Sequence, residues 1–181
     1  METWLIVVIA VVVVAAAVSV WYLVREKRSR HLRSQFGPEY HRTVQEVGDR
    51  TRAERDLERR EKRVARLQIR PLSPTERDRF AQEWRQHQAQ FVDDPEDAVL
   101  EADRLVVEVM NARGYPMSEF DQRVEDISVD HPKVVEYYRE ARDIALRNKK
   151  GQASTEDLRR AMVHYRSLFD ELLDIHQEVK R

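Results

Sequence analysis

The feature that most constrains this chain is an uncharged, apolar run over residues 4–24, close to the amino terminus. If these 21 residues form a helix, a rise of 1.5 Å per residue makes it roughly 30 Å long, the thickness of the bilayer hydrocarbon core. Trp4 at one end and Trp21 with Tyr22 at the other are typical of the two membrane interfaces. The sequence therefore predicts a transmembrane anchor over residues 1–24.

A cleaved signal peptide is the competing interpretation of this run, and its flanks disfavour it. Only Met1, Glu2 and Thr3 precede the run, so an acid stands where a signal peptide carries Lys or Arg. The small residues 15–17 are followed by bulky residues that continue the span. We therefore expect the anchor to remain uncleaved.

Cations follow the span directly and predict its orientation. Loops rich in Lys and Arg stay on the cytoplasmic side, so we expect the amino terminus outside and the remainder in the cytoplasm. The same cations are candidate contacts to anionic lipid, although they could instead serve only to set the topology. These candidate lipid contacts are Arg25, Lys27, Arg28, Arg30 and Arg33.

The chain beyond the span is basic over residues 25–70 and acidic over residues 71–181. The first part has 15 Lys and Arg against 8 Asp and Glu, and the second has 17 against 24. After Gly37-Pro38, residues 39–67 are mostly charged, which predicts a solvated spacer helix within the basic juxtamembrane segment. The alternatives to a solvated spacer are a weak coiled coil and a segment that contacts nucleic acid or lipid. Interleaved acids and the absence of aromatic residues between Tyr40 and Phe80 disfavour nucleic acid.

Helix signals follow one another from residue 71 onward. Ser73-Pro74-Thr75-Glu76 is a capping box, Asp94-Pro95 and Ser154 begin further helices, and Gly114 ends one. No strand-like alternation occurs after Val24. The sequence therefore predicts an all-α fold with a transmembrane helix, a charged spacer helix and a small cytoplasmic helical bundle over residues 71–181.

Phe80, Trp84 and Phe91 share one face of the helix that begins at Ser73. Such a row packs in a bundle core or, where it is exposed, anchors a protein partner. The segments "RGYP" at residues 113–116 and "VDHP" at residues 129–132 are candidate functional loops. A glycine helix stop and proline helix starts account for most of both segments.

Several segments together indicate a family: "FGPEY", "IRPLSPTERDRFAQEW", "FVDDPEDAV", "ADRLVVEVMNARGYP" and "DISVDHP". The chain resembles a family of uncharacterised bacterial proteins with one N-terminal membrane span, whose members often carry the label hypothetical or secreted protein. This resemblance implies a location in the bacterial inner (cytoplasmic) membrane, and it supplies no activity and no site residues.

Sequence patterns for catalysis are missing. The chain has no Cys, which excludes thiolate nucleophiles and Cys-ligated metals. It has no phosphate-cradling motif, and His131, His164 and His176 lack metal-ligand spacing. We predict no enzyme activity, no cofactor and no metal, and favour a membrane-tethered binding or scaffold module. A membrane-surface or envelope-stress factor that contacts anionic lipid is the first alternative, and an unrecognised enzyme or ligand-binding bundle is the second.

Overall fold

A computed structural model gives the fold, and it describes residues 2–173 apart from the side chains of residues 2, 3, 5, 6, 9 and 10. The described backbone is helical, with no strand, so the predicted all-α class is confirmed. The helices are α1 (Glu2–Phe36), α2 (Pro38–Val47), α3 (Arg50–Val64), α4 (Pro74–Gln90), α5 (Pro95–Arg113), α6 (Phe120–Asp130), α7 (Val135–Asn148) and α8 (Thr155–Leu172).

The chain forms two compact units, Met1–Glu58 and Arg59–Arg181. The division falls within α3, whereas the sequence placed the boundary between residues 70 and 71. The reason lies in ion pairs: Arg63 Nε donates to Asp126 Oδ1 over 2.7 Å and its Nη2 to Glu125 Oε2 over 2.8 Å. A pairing between residues so far apart in sequence is not readable from local patterns.

The second unit is a helical bundle, as predicted. Its core is continuous from Leu72 to Leu173 and is built chiefly from α4, α5, α7 and α8. Ser73 and Ser154 cap their helices with complete capping boxes, and Asp94 caps α5 by accepting from the Asp97 amide. These local signals were therefore interpreted correctly, since each one satisfies helix-end amides that have no partner inside the helix.

The prediction of a single solvated spacer helix over residues 39–67 is wrong. Gly48 adopts a left-handed conformation with φ of 72° and ends α2, so the segment consists of two helices. One face is also buried: Ala53 and Leu57 are inaccessible to solvent. Sparse apolar positions suffice here because the two helices are short and bury only this narrow face.

Gly37 ends α1 and Pro38 begins α2, as the sequence predicted. The apolar run of residues 4–24 therefore lies within one continuous helix, α1. Within the described part of the chain, no helix is long and apolar enough to cross a membrane.

Candidate functional site

Two members of the aromatic row, Phe80 and Trp84, lie in the bundle core. They are 1% and 5% exposed. The Trp84 ring stacks on Phe169 of α8, with ring centroids 4.9 Å apart and an interplanar angle of 21°. Of the two interpretations of the row, core packing therefore describes both residues, and a partner would have to open the bundle to reach them.

Phe91, the third member of the row, lies where the bundle surface is open. It is partly buried, and it borders a small pocket of about 150 Å³ between the end of α4 and α8. We name this pocket with its rim the Phe91 groove. The residues that line the groove are Gln88, Phe91, Arg159, Met162, Val163 and Arg166.

The Phe91 groove combines apolar surface with a basic rim. Val163 is 50% exposed, and Val92, which follows Phe91, is 83% exposed. Arg159 and Arg166 stand at the rim and form surface ion pairs with Glu156 and Asp170 of their own helix. Because such exposed ion pairs contribute little to the stability of the fold, both guanidinium groups can exchange these partners for other carboxylates.

The five predicted lipid-contact cations lie on the last turns of α1, and each is exposed. Arg25 donates to Thr51 over 2.9 Å, and Arg28 forms an ion pair with Glu58. The other contacts are local: Arg30 pairs with Glu26 over 3.1 Å, and Arg33 lies over the Tyr40 ring. Lys27 is likewise exposed. The structure thus keeps all five on the surface, while α3 engages two of them.

A buried polar cluster lies beside these cations, and sequence reasoning missed it. Glu54 Oε1 accepts hydrogen bonds from Ser29 and Tyr40, both over 2.7 Å, and from Arg50 over 2.9 Å. Burial raises the pKa of Glu54, but the hydrogen bonds from Ser29, Tyr40 and Arg50 outweigh it, so the net pKa is lowered. The cluster therefore fastens α2 and α3 to α1 around a charged carboxylate.

A pocket of about 310 Å³ opens next to this cluster, between α1 and α3. Trp21 and Val24 supply its apolar wall, and Arg25, Arg28 and Arg55 supply cations. Glu54 and Glu58 lie in the same lining, where Glu58 pairs with Arg28 and Glu54 is already engaged by Arg50. The pocket joins the last apolar residues of the predicted span to the first basic ones.

His131 and His164 lie in different environments. His131 is buried, with Nδ1 at 3.4 Å from Glu171 Oε1, whereas His164 stacks on Tyr137 and lies 2.9 Å from Glu140. His176 lies outside the described residues. Within the described part of the chain, no three His, Asp or Glu side chains are grouped as a metal ion would require.

Comparison of the chain with protein-family models, with curated proteins and with solved structures gives no match. The family resemblance of the sequence motifs therefore stays a prediction.

Proposed function

We propose that this chain is a membrane-tethered, non-enzymatic binding module of the bacterial inner membrane, whose cytoplasmic helical bundle binds a protein partner. The anchor would be residues 4–24 of α1. Its described side chains support this proposal because they are apolar and exposed, for example Val11 at 62% and Leu23 at 66%. A helix that presents valine and leucine on all sides is suited to lipid rather than to water.

The observation that carries the binding proposal is the Phe91 groove. Interfaces depend on a few apolar anchors that fill pockets, surrounded by polar rims. About 150 Å³ is room for one aliphatic or aromatic side chain, and Arg159 with Arg166 would pair with carboxylates beside it. The partner that fits is therefore an acidic segment with one large apolar side chain.

Site-specific cross-linking in the native cell tests this proposal. Val163 in the full chain is replaced by a photo-crosslinking amino acid, and Leu146 on α7, which is 44% exposed, is replaced in a matched control. We expect one discrete cross-linked product at position 163 and none at 146. Arg159→Glu together with Arg166→Glu should abolish that product. Identical products at both positions, or none at 163, would refute the proposal.

Contact with anionic lipid is the second candidate function, and the α1–α3 pocket favours it. Trp21 and Val24 would face acyl chains while Arg25 and Arg28 face phosphate groups. Arg30 and Arg33 extend the basic surface along α1. Both functions are compatible in one molecule, because the basic residues and the Phe91 groove belong to different units.

A further inference from the structure

The two candidate loops of the sequence meet in the bundle and form one cleft. The hydroxyl of Tyr115 in "RGYP" donates to Asp130 Oδ2 in "VDHP" over 2.8 Å. The Arg70 amide donates to the Arg113 carbonyl over 2.9 Å and brings the segment after α3 alongside. Gly114 permits this approach, since its φ is 96° and a Cβ there would lie 2.5 Å from the Gln68 carbonyl oxygen.

The cleft between these segments has a volume of about 500 Å³, within the range of small-ligand sites. We name it the loop cleft. It shares no residue with the Phe91 groove. The residues that line it are Glu61, Val64, Ala65, Leu67, Ile69, Arg113, Val129, Asp130 and His131.

The electrostatics of the loop cleft favour a cation. Helices α3, α5 and α6 all end in its lining, and α8 ends at Leu172, whose carbonyl accepts from Arg113 over 2.6 Å. Each helix carboxyl end carries a partial negative charge of about half an electron. The lining contains two carboxylates, those of Glu61 and Asp130, and one guanidinium, that of Arg113, which donates to the Leu172 carbonyl.

His131 supplies a second, independent observation. Its side chain is 8% exposed and lines the loop cleft. Its Nε2 is buried and has no hydrogen-bond partner among the described residues. The lost hydration of a buried polar atom is normally replaced by a protein, water or ligand partner. The glycine helix stop and the proline helix starts account for the backbone of the two loops. They do not account for a buried His131 Nε2 without a hydrogen-bond partner.

We propose that the loop cleft binds the amino or guanidino group of an aliphatic organic cation, as a short basic peptide segment would present it. The cation would bind Asp130, an exposed residue whose Oδ2 accepts from the Tyr115 hydroxyl. An adjacent aliphatic group would pack on Val64, Leu67 and Ile69, and a polar group of the ligand would meet His131 Nε2. This site goes beyond the proposed function, because its ligand is basic whereas the groove's partner is acidic.

Calorimetric titration of the full chain in detergent with acetyl-leucyl-lysine amide tests the proposal, with acetyl-leucyl-glutamine amide as the neutral probe. We expect saturable binding of the lysine probe only, weakened by added salt. Asp130→Asn should weaken it roughly tenfold or more, the usual loss for a hydrogen bond to a charged group. Asp121→Asn, an exposed acid on the same helix, is the control and should change nothing.

His131→Phe gives an independent check, because it keeps an aromatic ring but removes both ring nitrogens. We expect the lysine probe to bind this variant at least a few-fold more weakly while helicity is retained. Equal affinity for the two probes, no saturable binding, or an Asp130→Asn affinity equal to that of Asp121→Asn would overturn the proposal.

Discussion

The hydroxyl of Tyr165 on α8 donates a 2.9 Å hydrogen bond to Asp103 Oδ1 on α5, inside the bundle. Arg142 of α7 pairs with the other oxygen of the same carboxylate. Burial, and next the charge of Asp103, raise the pKa of Tyr165 well above its ordinary value, so the phenol stays a donor at any physiological pH. One buried carboxylate thus joins three helices of the bundle.

Asp103→Ala should therefore destabilise the bundle strongly. It leaves Arg142, whose side chain is 21% exposed, without its counter-charge and Tyr165 without an acceptor, so the cost should be about 2–3 kcal/mol, below the value of about 3–5 kcal/mol for a fully buried pair. Tyr165→Phe should cost only about 1 kcal/mol, one hydrogen bond. Urea unfolding of residues 59–181, followed by circular dichroism, measures both. The control is Asp170→Ala at the surface pair with Arg166; a cost for Asp103→Ala no larger than that of the control would contradict this role.

The extent of the bundle unit gives a second prediction. The sequence places the bundle in residues 71–181, but Arg63, which precedes them, pairs with Glu125 and Asp126 of α6. Asp126 is fully buried, so removal of its cation leaves a charge that burial disfavours. We expect 59–181 to unfold at a higher urea concentration than 71–181. Equal midpoints would show that the end of α3 adds nothing to the unit.

The start of α4 should respond to pH. Ser73 accepts from the Glu76 amide, and Ser73→Ala should cost about 1 kcal/mol as the loss of an N-cap. Hydrogen bonds from Arg70, and next those from Ser73, lower the pKa of Glu76. A lowered pKa in the folded state stabilises the fold above the ordinary glutamate pKa of about 4.3 and loses that effect as the pH falls towards the folded value.

Glu76→Gln tests this effect directly, because glutamine carries no charge at any pH. Its unfolding free energy should lie below that of the unchanged chain at pH 7, and the gap should close as the pH falls below about 4. Asp78→Asn, an exposed acid on the same helix, should show no such convergence. A gap that is constant from pH 7 to pH 3 would mean that Glu76 does not act through its charge.

Lipid contact by the basic end of α1 can be measured with residues 25–181 and liposomes. Replacement of Arg30 and Arg33 by Gln should weaken association with anionic vesicles, because each cation near the surface contributes about 1 kcal/mol. Arg85→Gln with Arg104→Gln removes the same charge from the exposed surface of the bundle as a control. Binding that is as strong to neutral vesicles, or indifferent to salt, would exclude the electrostatic interpretation.

The sequence predicted what depends on neighbouring residues. The capping boxes at Ser73 and Ser154 and the glycine ends at Gly37 and Gly114 are local, because each satisfies or releases backbone groups within one turn. The polar cluster at Glu54 was missed because its donors come from three helices. The periodicity of Phe80, Trp84 and Phe91 placed them on one face but could not show how far Phe91 lies from the centre of the core.

The loop cleft likewise combines local signals that the sequence predicted with a contact between helices that it did not predict. The sequence singled out "RGYP" and "VDHP" separately, on their glycine and proline residues. Their meeting through Tyr115 and Asp130 depends on how α5 and α6 pack, and no spacing along the chain encodes that.

Reporter fusions after Arg181 test the proposed membrane anchor and its orientation. We predict that a reporter active only in the cytoplasm works there, that one active only in the periplasm is silent, and that the mature chain retains Trp4. Exchange of Arg25, Lys27 and Arg28 for Gln should reduce this bias, since we expect the orientation to follow from the cations beside the span. An active periplasmic reporter, or a mature chain that begins after Ala17, would contradict the claim.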